Sequence, residues 1–139
     1  MSNSALSEFE RAALSALSSA LLQEFDSAVL PRVAVLFGSR ALGRSRASSD
    51  VDLAIALDAP LRESQRQRIE ASVAATLRMD ANLVDLLSAP SHLVSQILRN
   101  GHVLLGAGRS ALGSIIARMV SEREDIAPYQ RRILEERAR

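Results

Sequence analysis

The sequence predicts an α/β fold in which a small mixed β-sheet is flanked by helices. Short, continuous apolar runs of about five residues are typical of strands that are covered on both faces. Longer segments carry apolar residues three and four positions apart, as amphipathic helices do. The two kinds of segment alternate along 139 residues, the usual size of one domain. We therefore expect a single domain over 1–139, with a core at 33–105 and a helical C-terminal segment at 110–139.

The N-terminal part of the chain is predicted to form one helix and two strands. Apolar residues over 6–25 make one helical stripe, and Ser7 and Glu10 have the spacing of a capping box at its start. Largely apolar runs predict the first strand at 33–37 and the second at 51–57. The remaining predicted elements are a helix at 62–79, a strand at 83–87, a helix at 91–99, an edge strand at 102–105 and a helix from 110 onwards that is kinked at Pro128.

Composition and charge exclude several classes of protein. The formal net charge is +1, which gives no electrostatic basis for nucleic-acid binding, so none is expected. All seventeen basic residues are arginine, which excludes the lysine-dependent Walker-A site. The lack of cysteine excludes thiolate catalysis and thiolate metal sites. The sequence contains neither a signal-peptide pattern nor an apolar run of membrane-spanning length, so we expect a cytoplasmic protein without membrane association.

Three aspartates are the candidate catalytic and metal-binding residues. Asp50 and Asp52 are two residues apart at the start of the second strand, so their side chains point to the same face. Two ionised carboxylates this close repel each other unless a cation lies between them, and hard oxygen ligands suit Mg²⁺. Asp85 interrupts an apolar strand, where an unpaired charge is costly. If the third strand lies beside the second, Asp85 completes a cluster of three carboxylates that can hold two metal ions. The enzyme interpretation depends on this convergence.

A glycine–serine pair after the first strand supplies a candidate phosphate site. Gly38 permits close approach of the backbone, and the hydroxyl of Ser39 adds a hydrogen-bond donor. Arg40, Arg44 and Arg46 bring three positive charges into a connection that contains no acid before Asp50, as a triphosphate site requires. The sequence thus places cations, phosphate donors and metal ligands within fifteen residues.

The motif formed by these residues resembles that of a known family. The stretch 38–43 followed by 49–53 is similar to the glycine–serine, ten-residue gap and Asp-x-Asp signature of polymerase-β-type nucleotidyltransferases. In particular it resembles the minimal nucleotidyltransferases that act as antitoxins to HEPN ribonuclease toxins. Arg40 and Ser49 fall within the matching stretch and are added to the predicted nucleotide-binding residues. Leu42 departs from the arginine that relatives often carry before the second glycine, so a phosphate contact is expected to have moved to a later arginine.

The resemblance implies a fold, a role for each site residue and an activity. The fold would be that of polymerase-β-type nucleotidyltransferases. Gly38 and Ser39 would hold the β- and γ-phosphates of ATP, and Asp50 and Asp52 would bind two Mg²⁺ ions. Asp85 would be the third ligand and would help to deprotonate the acceptor hydroxyl. Family members transfer AMP from ATP to a tyrosine of a cognate HEPN toxin, which is therefore the expected partner. Two alternatives stay open: an antitoxin that acts mainly by binding, and a nucleotidyltransferase with a small-molecule acceptor.

Overall fold

A computed structural model describes residues 6–38 and 50–106, together with positions 113, 115 and 117 of the C-terminal segment. Seven elements follow one another in the described ranges, in the predicted order. They are α1 Glu8–Phe25, β1 Val33–Phe37, β2 Val51–Ala56, α2 Glu63–Leu77, β3 Ala81–Asp85, α3 Ser91–Asn100 and β4 His102–Leu105. Within those ranges, none of the helices combines the length and the apolarity needed to cross a bilayer. The predicted helix from residue 110 and its kink at Pro128 fall essentially outside the described residues.

The four strands form one mixed sheet in the order β3-β2-β1-β4. One of the two central strands, β1, is antiparallel to both β2 and β4, whereas β2 and β3 are parallel. The α/β prediction with a mixed sheet is therefore confirmed, as is the adjacency of the second and third strands. Parallel neighbours need a crossover connection, and α2 provides it between β2 and β3. The start of β2, the start of β3 and the end of β1 consequently meet at one end of the sheet.

Each face of the sheet is covered by its own helical layer. On one face, α1 and α2 pack against a buried cluster that includes Val51, Leu53 and Ile55 of β2. On the other face, α3 packs against a second cluster that includes Ala54 and Ala56 of the same strand. Alternate residues of a strand thus belong to opposite layers. Because both faces are covered, β1 and β2 are apolar almost throughout, as the sequence predicted.

The start of α1 carries the predicted capping box. The backbone N–H of Ser7 donates to Oε1 of Glu10 at 2.8 Å, and the backbone N–H of Glu10 donates to Oγ of Ser7 at 3.0 Å. These two bonds satisfy donors that have no partner within the helix. Oε2 of Glu10 also lies 3.2 Å from Nδ1 of His102, which connects α1 to the start of β4.

The third strand begins and ends two residues earlier than predicted. It spans Ala81–Asp85 rather than 83–87, because the chain turns directly after Asp85. The backbone N–H groups of Ser88 and Ala89 both donate to the carbonyl oxygen of Asp85, at 3.1 and 3.0 Å. Leu86 is fully buried within this turn, so its apolar character does not mark a strand residue. This shift changes which residues stand beside the start of β2.

Side chains of α2 hydrogen-bond the outer edge of β3. Glu70 accepts a hydrogen bond from the backbone N–H of Leu83 at 2.8 Å, and Arg66 donates to the carbonyl oxygen of Leu83 at 2.9 Å. Arg66 and Glu70 also pair with each other at 2.9 Å. An edge strand otherwise exposes unpaired backbone groups, and these contacts satisfy one donor and one acceptor there. They also hold β3 in place beside β2.

Candidate functional site

The candidate site lies at the end of the sheet where β1 finishes and β2 and β3 begin. Gly38 directly follows β1, and Asp50 directly precedes β2. Asp52 is the second residue of β2 and stands opposite Phe37 of β1 and Asn82 of β3. Ala54, two residues further along β2, belongs to the cluster beneath α3. Residues two apart on a strand share a face, so the side chain of Asp52 points to the α3 face of the sheet.

One amide group links the two aspartates at the start of β2. Nδ2 of Asn82 lies 2.8 Å from Oδ1 of Asp52 and donates a hydrogen bond to it. The same nitrogen lies 3.4 Å from Oδ2 of Asp50, a longer and weaker contact. Asp50 and Asn82 are exposed, whereas Asp52 is half-buried. The structure therefore brings Asp50 and Asp52 together, as predicted, around a residue that the sequence analysis did not single out.

Gly38 approaches Asp52 so closely that no side chain fits. Its φ angle is +79°, in the left-handed region that favours glycine. A Cβ atom at this position would overlap Oδ2 of Asp52 and lie 3.0 Å from its Cγ. Glycine is thus required both by the backbone conformation and by the contact with the carboxylate. The arrangement leaves the backbone of Gly38 directly beside the carboxylate of Asp52.

The predicted convergence of Asp85 with the other two aspartates is wrong. In the parallel register Asp85 pairs with Ile55, whereas Asp52 pairs with Asn82 three residues earlier on β3. Three residues along a strand span about 10 Å, and an odd separation places side chains on opposite faces. Asp85 therefore points to the α1 and α2 layer. Within the described ranges, no group of three or more acidic, histidine or cysteine side chains is close enough to hold a metal ion.

The carboxylate of Asp85 instead anchors two turns of the backbone. It accepts hydrogen bonds from the backbone N–H of Leu61 at 2.7 Å and of Leu87 at 3.0 Å. The hydroxyl of Ser88 donates to it at 3.1 Å. Asp85 is only 7 % exposed, and these three donors explain how a carboxylate is accommodated at a buried position. Its position in an apolar strand therefore reflects structure, and we do not place it among the metal ligands. The enzyme interpretation no longer rests on three converging acids but on Asp50 and Asp52 together with Gly38.

The remaining predicted nucleotide-binding residues lie outside the described ranges. Ser39, Arg40 and Ser49 belong to the connection between β1 and β2, as do Arg44 and Arg46. Their assignment to phosphate binding stays a prediction. The described part of the site consists of Gly38, Asp50, Asp52 and Asn82.

Asn82 was not among the residues predicted from the sequence, although one signal pointed to it. Parallel neighbours begin at the same end of a sheet, so the residue beside Asp52 must come from the start of the third strand. A strand predicted at 83–87 leaves out Asn82 and puts Asp85 at its centre. The polar residues Asp80 and Asn82 just before the apolar run could have indicated that the third strand begins earlier than residue 83.

The side-chain oxygen atoms at this end of the sheet are suitable ligands for a magnesium ion that also binds the phosphates of a nucleotide. Mg²⁺ is commonly bound by one or two carboxylates, with substrate phosphates and water completing its octahedron. Asp50 and Asp52 supply two carboxylates, and Asn82 carries a further oxygen on its amide. The close approach of Gly38 to Asp52 provides backbone for the phosphates on the same side.

The chain is similar to a known protein family over the residues that form this site. Residues 20–109, well over half of the chain, match the family model described as polymerase beta, nucleotidyltransferase. A curated relative, the protein adenylyltransferase MntA of Shewanella oneidensis, is 35% identical over 71 residues. That match covers 51% of this chain and 51% of MntA, so the chain aligns with about half the length of this relative.

Solved structures of toxin–antitoxin complexes share the fold. One, the toxin–antitoxin with AMP-PNP, is 25% identical, with a TM-score of 0.62 over 87% of this chain and 93% of the other. A mutant form of the MntA toxin–antitoxin complex is 26% identical, with a TM-score of 0.62 over 96% and 94% of the two chains. A complex of a tri-AMPylated Shewanella oneidensis HEPN toxin with its MNT antitoxin has a TM-score of 0.60. This complex is 23% identical over 93% of each chain, so the similarity shows a shared fold and nothing further.

Proposed function

The chain belongs to the polymerase beta nucleotidyltransferase family, and from this premise we propose that it transfers AMP from ATP to a hydroxyl group of a HEPN-type toxin. Modification of the toxin would silence it, so the chain would act as the antitoxin of the pair. The observation that carries the proposal is the pair Asp50 and Asp52 at the start of β2, with the backbone of Gly38 against the second carboxylate.

The geometry of the described site supports nucleotide transfer in particular. The two carboxylates suit a magnesium ion that also binds a triphosphate, and the backbone of Gly38 lies directly against the second of them. Ser39, Arg40 and Ser49 follow from the sequence as the phosphate-binding side chains of the same site. Arginine and backbone N–H groups are suited to this task because they match the charge and the shape of phosphate oxygens.

Similarity to proteins of named activity supports the choice of AMP and of a protein acceptor. The curated relative is called a protein adenylyltransferase, and a solved structure at 25% identity contains AMP-PNP in a toxin–antitoxin complex. Because the curated match spans about half of that relative, the acceptor and the partner are part of the proposal. The tyrosine acceptor rests on the motif resemblance.

In the proposed reaction, the chain positions ATP so that an acceptor hydroxyl attacks the α-phosphorus in line. A bond forms between the acceptor oxygen and this phosphorus, the bond to the pyrophosphate oxygen breaks, and the hydroxyl proton is released. Asp50 and Asp52 would hold the magnesium, which supplies charge stabilisation to the phosphoryl oxygens. Gly38 and Ser39 would orient the β- and γ-phosphates, which places the leaving pyrophosphate opposite the acceptor.

A transfer experiment with matched aspartate variants tests the proposal. The purified chain, MgATP and the protein encoded by the neighbouring reading frame are mixed, and intact mass is measured. We expect the partner to gain one or more AMP units with wild-type protein and none with Asp52→Asn. Asp58→Asn is the matched control, because Asp58 is exposed at the far end of β2 and pairs only with Arg32 among the described contacts.

The outcomes separate the proposal from its two alternatives. Inhibition of the partner that persists in Asp52→Asn, without any mass gain in wild type, would identify an antitoxin that acts by binding. Release of pyrophosphate with a small-molecule acceptor, and none with the partner protein, would identify the other alternative. Transfer by Asp52→Asn at the rate of wild type would contradict the assignment of the site itself.

A further inference from the structure

Asn82 is the residue of the described site whose role is not accounted for by the predicted motif. Its side chain is exposed, so packing in the core does not dictate an asparagine there. Nevertheless the parallel register of β2 and β3 sets it directly beside Asp52, on the same face of the sheet. Nδ2 donates to Asp52 at 2.8 Å and approaches Asp50 at 3.4 Å.

An amide at this position differs from a carboxylate in two physical respects. It can donate hydrogen bonds to two neighbouring carboxylates, which reduces their mutual repulsion without adding charge. It also carries a carbonyl oxygen, which is a hard ligand for a divalent cation but has no formal negative charge. Asp50, Asp52 and Asn82 together therefore hold two formal negative charges, whereas three aspartates would hold three.

From this arrangement, and given the proposed function, we propose that Asn82 is the third polar group of the metal site and sets its affinity. With two negative charges the free protein would bind a divalent cation weakly, and the triphosphate would supply the charge that completes the site. Metal binding would then be coupled to nucleotide binding. Asn82 would also act as a positioning residue, because Nδ2 holds the two carboxylates together before the metal arrives. Rotation of the amide about its Cβ–Cγ bond would then turn the oxygen toward the cation.

Titration of Mn²⁺ without turnover tests this role. Calorimetry of wild type, Asn82→Asp and Gln96→Glu is carried out without nucleotide and again with a non-hydrolysable ATP analogue. Gln96 is exposed on α3 and is not among the described contacts of Asp50, Asp52 and Asn82, so its variant adds the same charge at a residue that does not bond them. Without nucleotide, we expect Asn82→Asp to bind Mn²⁺ at least about tenfold more tightly than wild type, since a carboxylate attracts the cation more strongly than an amide. Gln96→Glu should match wild type.

The nucleotide analogue provides the second arm of the test. We expect it to tighten Mn²⁺ binding markedly in wild type and less in Asn82→Asp, because that variant already carries the third charge. Equal affinities of wild type and Asn82→Asp in the absence of nucleotide would overturn the inference. Circular dichroism of each variant shows whether it is folded.

A neutral variant covers the case in which Asn82→Asp does not fold. Asn82→Ala removes both the hydrogen bonds to the aspartates and the amide oxygen, and it changes no charge. We expect its Mn²⁺ affinity in the presence of the analogue to fall several-fold below that of wild type. Wild-type affinity in this variant would also overturn the inference.

Asp52→Asn distinguishes a failure of this inference from a failure of the proposed function. If Asp52→Asn weakens Mn²⁺ binding while both Asn82 variants behave as wild type, the metal site stands and only the role of Asn82 is lost. If Asp52→Asn binds Mn²⁺ and the analogue as wild type does, the metal site itself is misplaced. No partner protein is needed, so these results do not depend on the identity of the acceptor.

Discussion

The backbone of Gly38 lies against the carboxylate of Asp52, so close that a methyl group on Gly38 would overlap Oδ2. This contact holds Gly38, the residue directly after β1, against the second residue of β2. It sets the position of the carboxylate relative to the backbone that we expect to bind phosphate. The conformation of Gly38, with φ at +79°, adds a second requirement for glycine.

Gly38→Ala is therefore expected to reduce both activity and stability. The alanine must adopt a positive φ angle and displace Asp52, at a cost of about 1–3 kcal/mol. Because small displacements of catalytic groups are costly, the proposed AMP transfer should fall on the order of a hundredfold. Urea unfolding and a pyrophosphate-release assay measure the two effects. Gly113→Ala is the control, since a Cβ there meets nothing within 4 Å and the residue is helical; wild-type transfer by Gly38→Ala would contradict the prediction.

Asp85→Ala is expected to unfold more easily without losing metal binding. The change leaves the backbone N–H groups of Leu61 and Leu87 without their carboxylate acceptor in a part-buried setting. We expect a loss of about 2–4 kcal/mol in the free energy of unfolding. Affinity for Mn²⁺ with the ATP analogue should match wild type, in contrast to Asp52→Ala. A variant with wild-type stability and strongly weakened Mn²⁺ binding would restore Asp85 to the metal site.

The capping box of α1 predicts a pH-dependent contribution from Glu10. The hydrogen bond from the backbone N–H of Ser7 is the main cause that lowers the pKa of Glu10 below its ordinary value of 4.5, and His102 adds to the effect. A carboxylate whose pKa is lower in the folded than in the unfolded state stabilises the fold. This stabilisation is complete at pH values above the pKa of the unfolded state, and it is lost as the pH falls through the pKa of the folded state. The contribution should therefore be constant above pH 4.5 and decline below it.

Glu10→Ala tests this contribution by urea unfolding at a series of pH values. Relative to wild type, we expect a loss on the order of 1 kcal/mol at neutral pH that becomes smaller in acid. Glu8→Ala is the control, because Glu8 lies in the same first turn of α1 but does not form the capping box. A loss for Glu10→Ala that is the same in strong acid as at neutral pH would exclude the ionised carboxylate as its source.

Glu70→Ala is expected to loosen the edge strand β3. It removes the acceptor of the Leu83 backbone N–H and the partner of Arg66 in a part-buried position. The free energy of unfolding should fall by about 1–3 kcal/mol. By comparison, Asp58→Ala breaks a largely exposed pair with Arg32 and should cost less than about 1 kcal/mol. Equal losses in the two variants would show that the backbone bonds of Glu70 contribute little.

Local features of this chain were predictable from the sequence because their physical causes are local. The capping box needs only Ser7 and Glu10 three residues apart, and the structure contains both of its hydrogen bonds. The strand at 33–37 follows from a continuous apolar run, and its bounds agree with β1. The pair Asp50 and Asp52 also follows from local spacing, since residues two apart on a strand share a face.

Which residue of β3 stands beside Asp52 was decided by the tertiary structure alone. Asn82 and Asp85 are three residues apart, so only one of them can face Asp52, and the register of β3 against β2 makes the choice. Both faces of the sheet are covered by helices, and the strand therefore shows no alternation of apolar and polar residues from which the sequence could reveal its orientation. Register arises from contacts between distant segments, and here it replaced a predicted carboxylate by an amide.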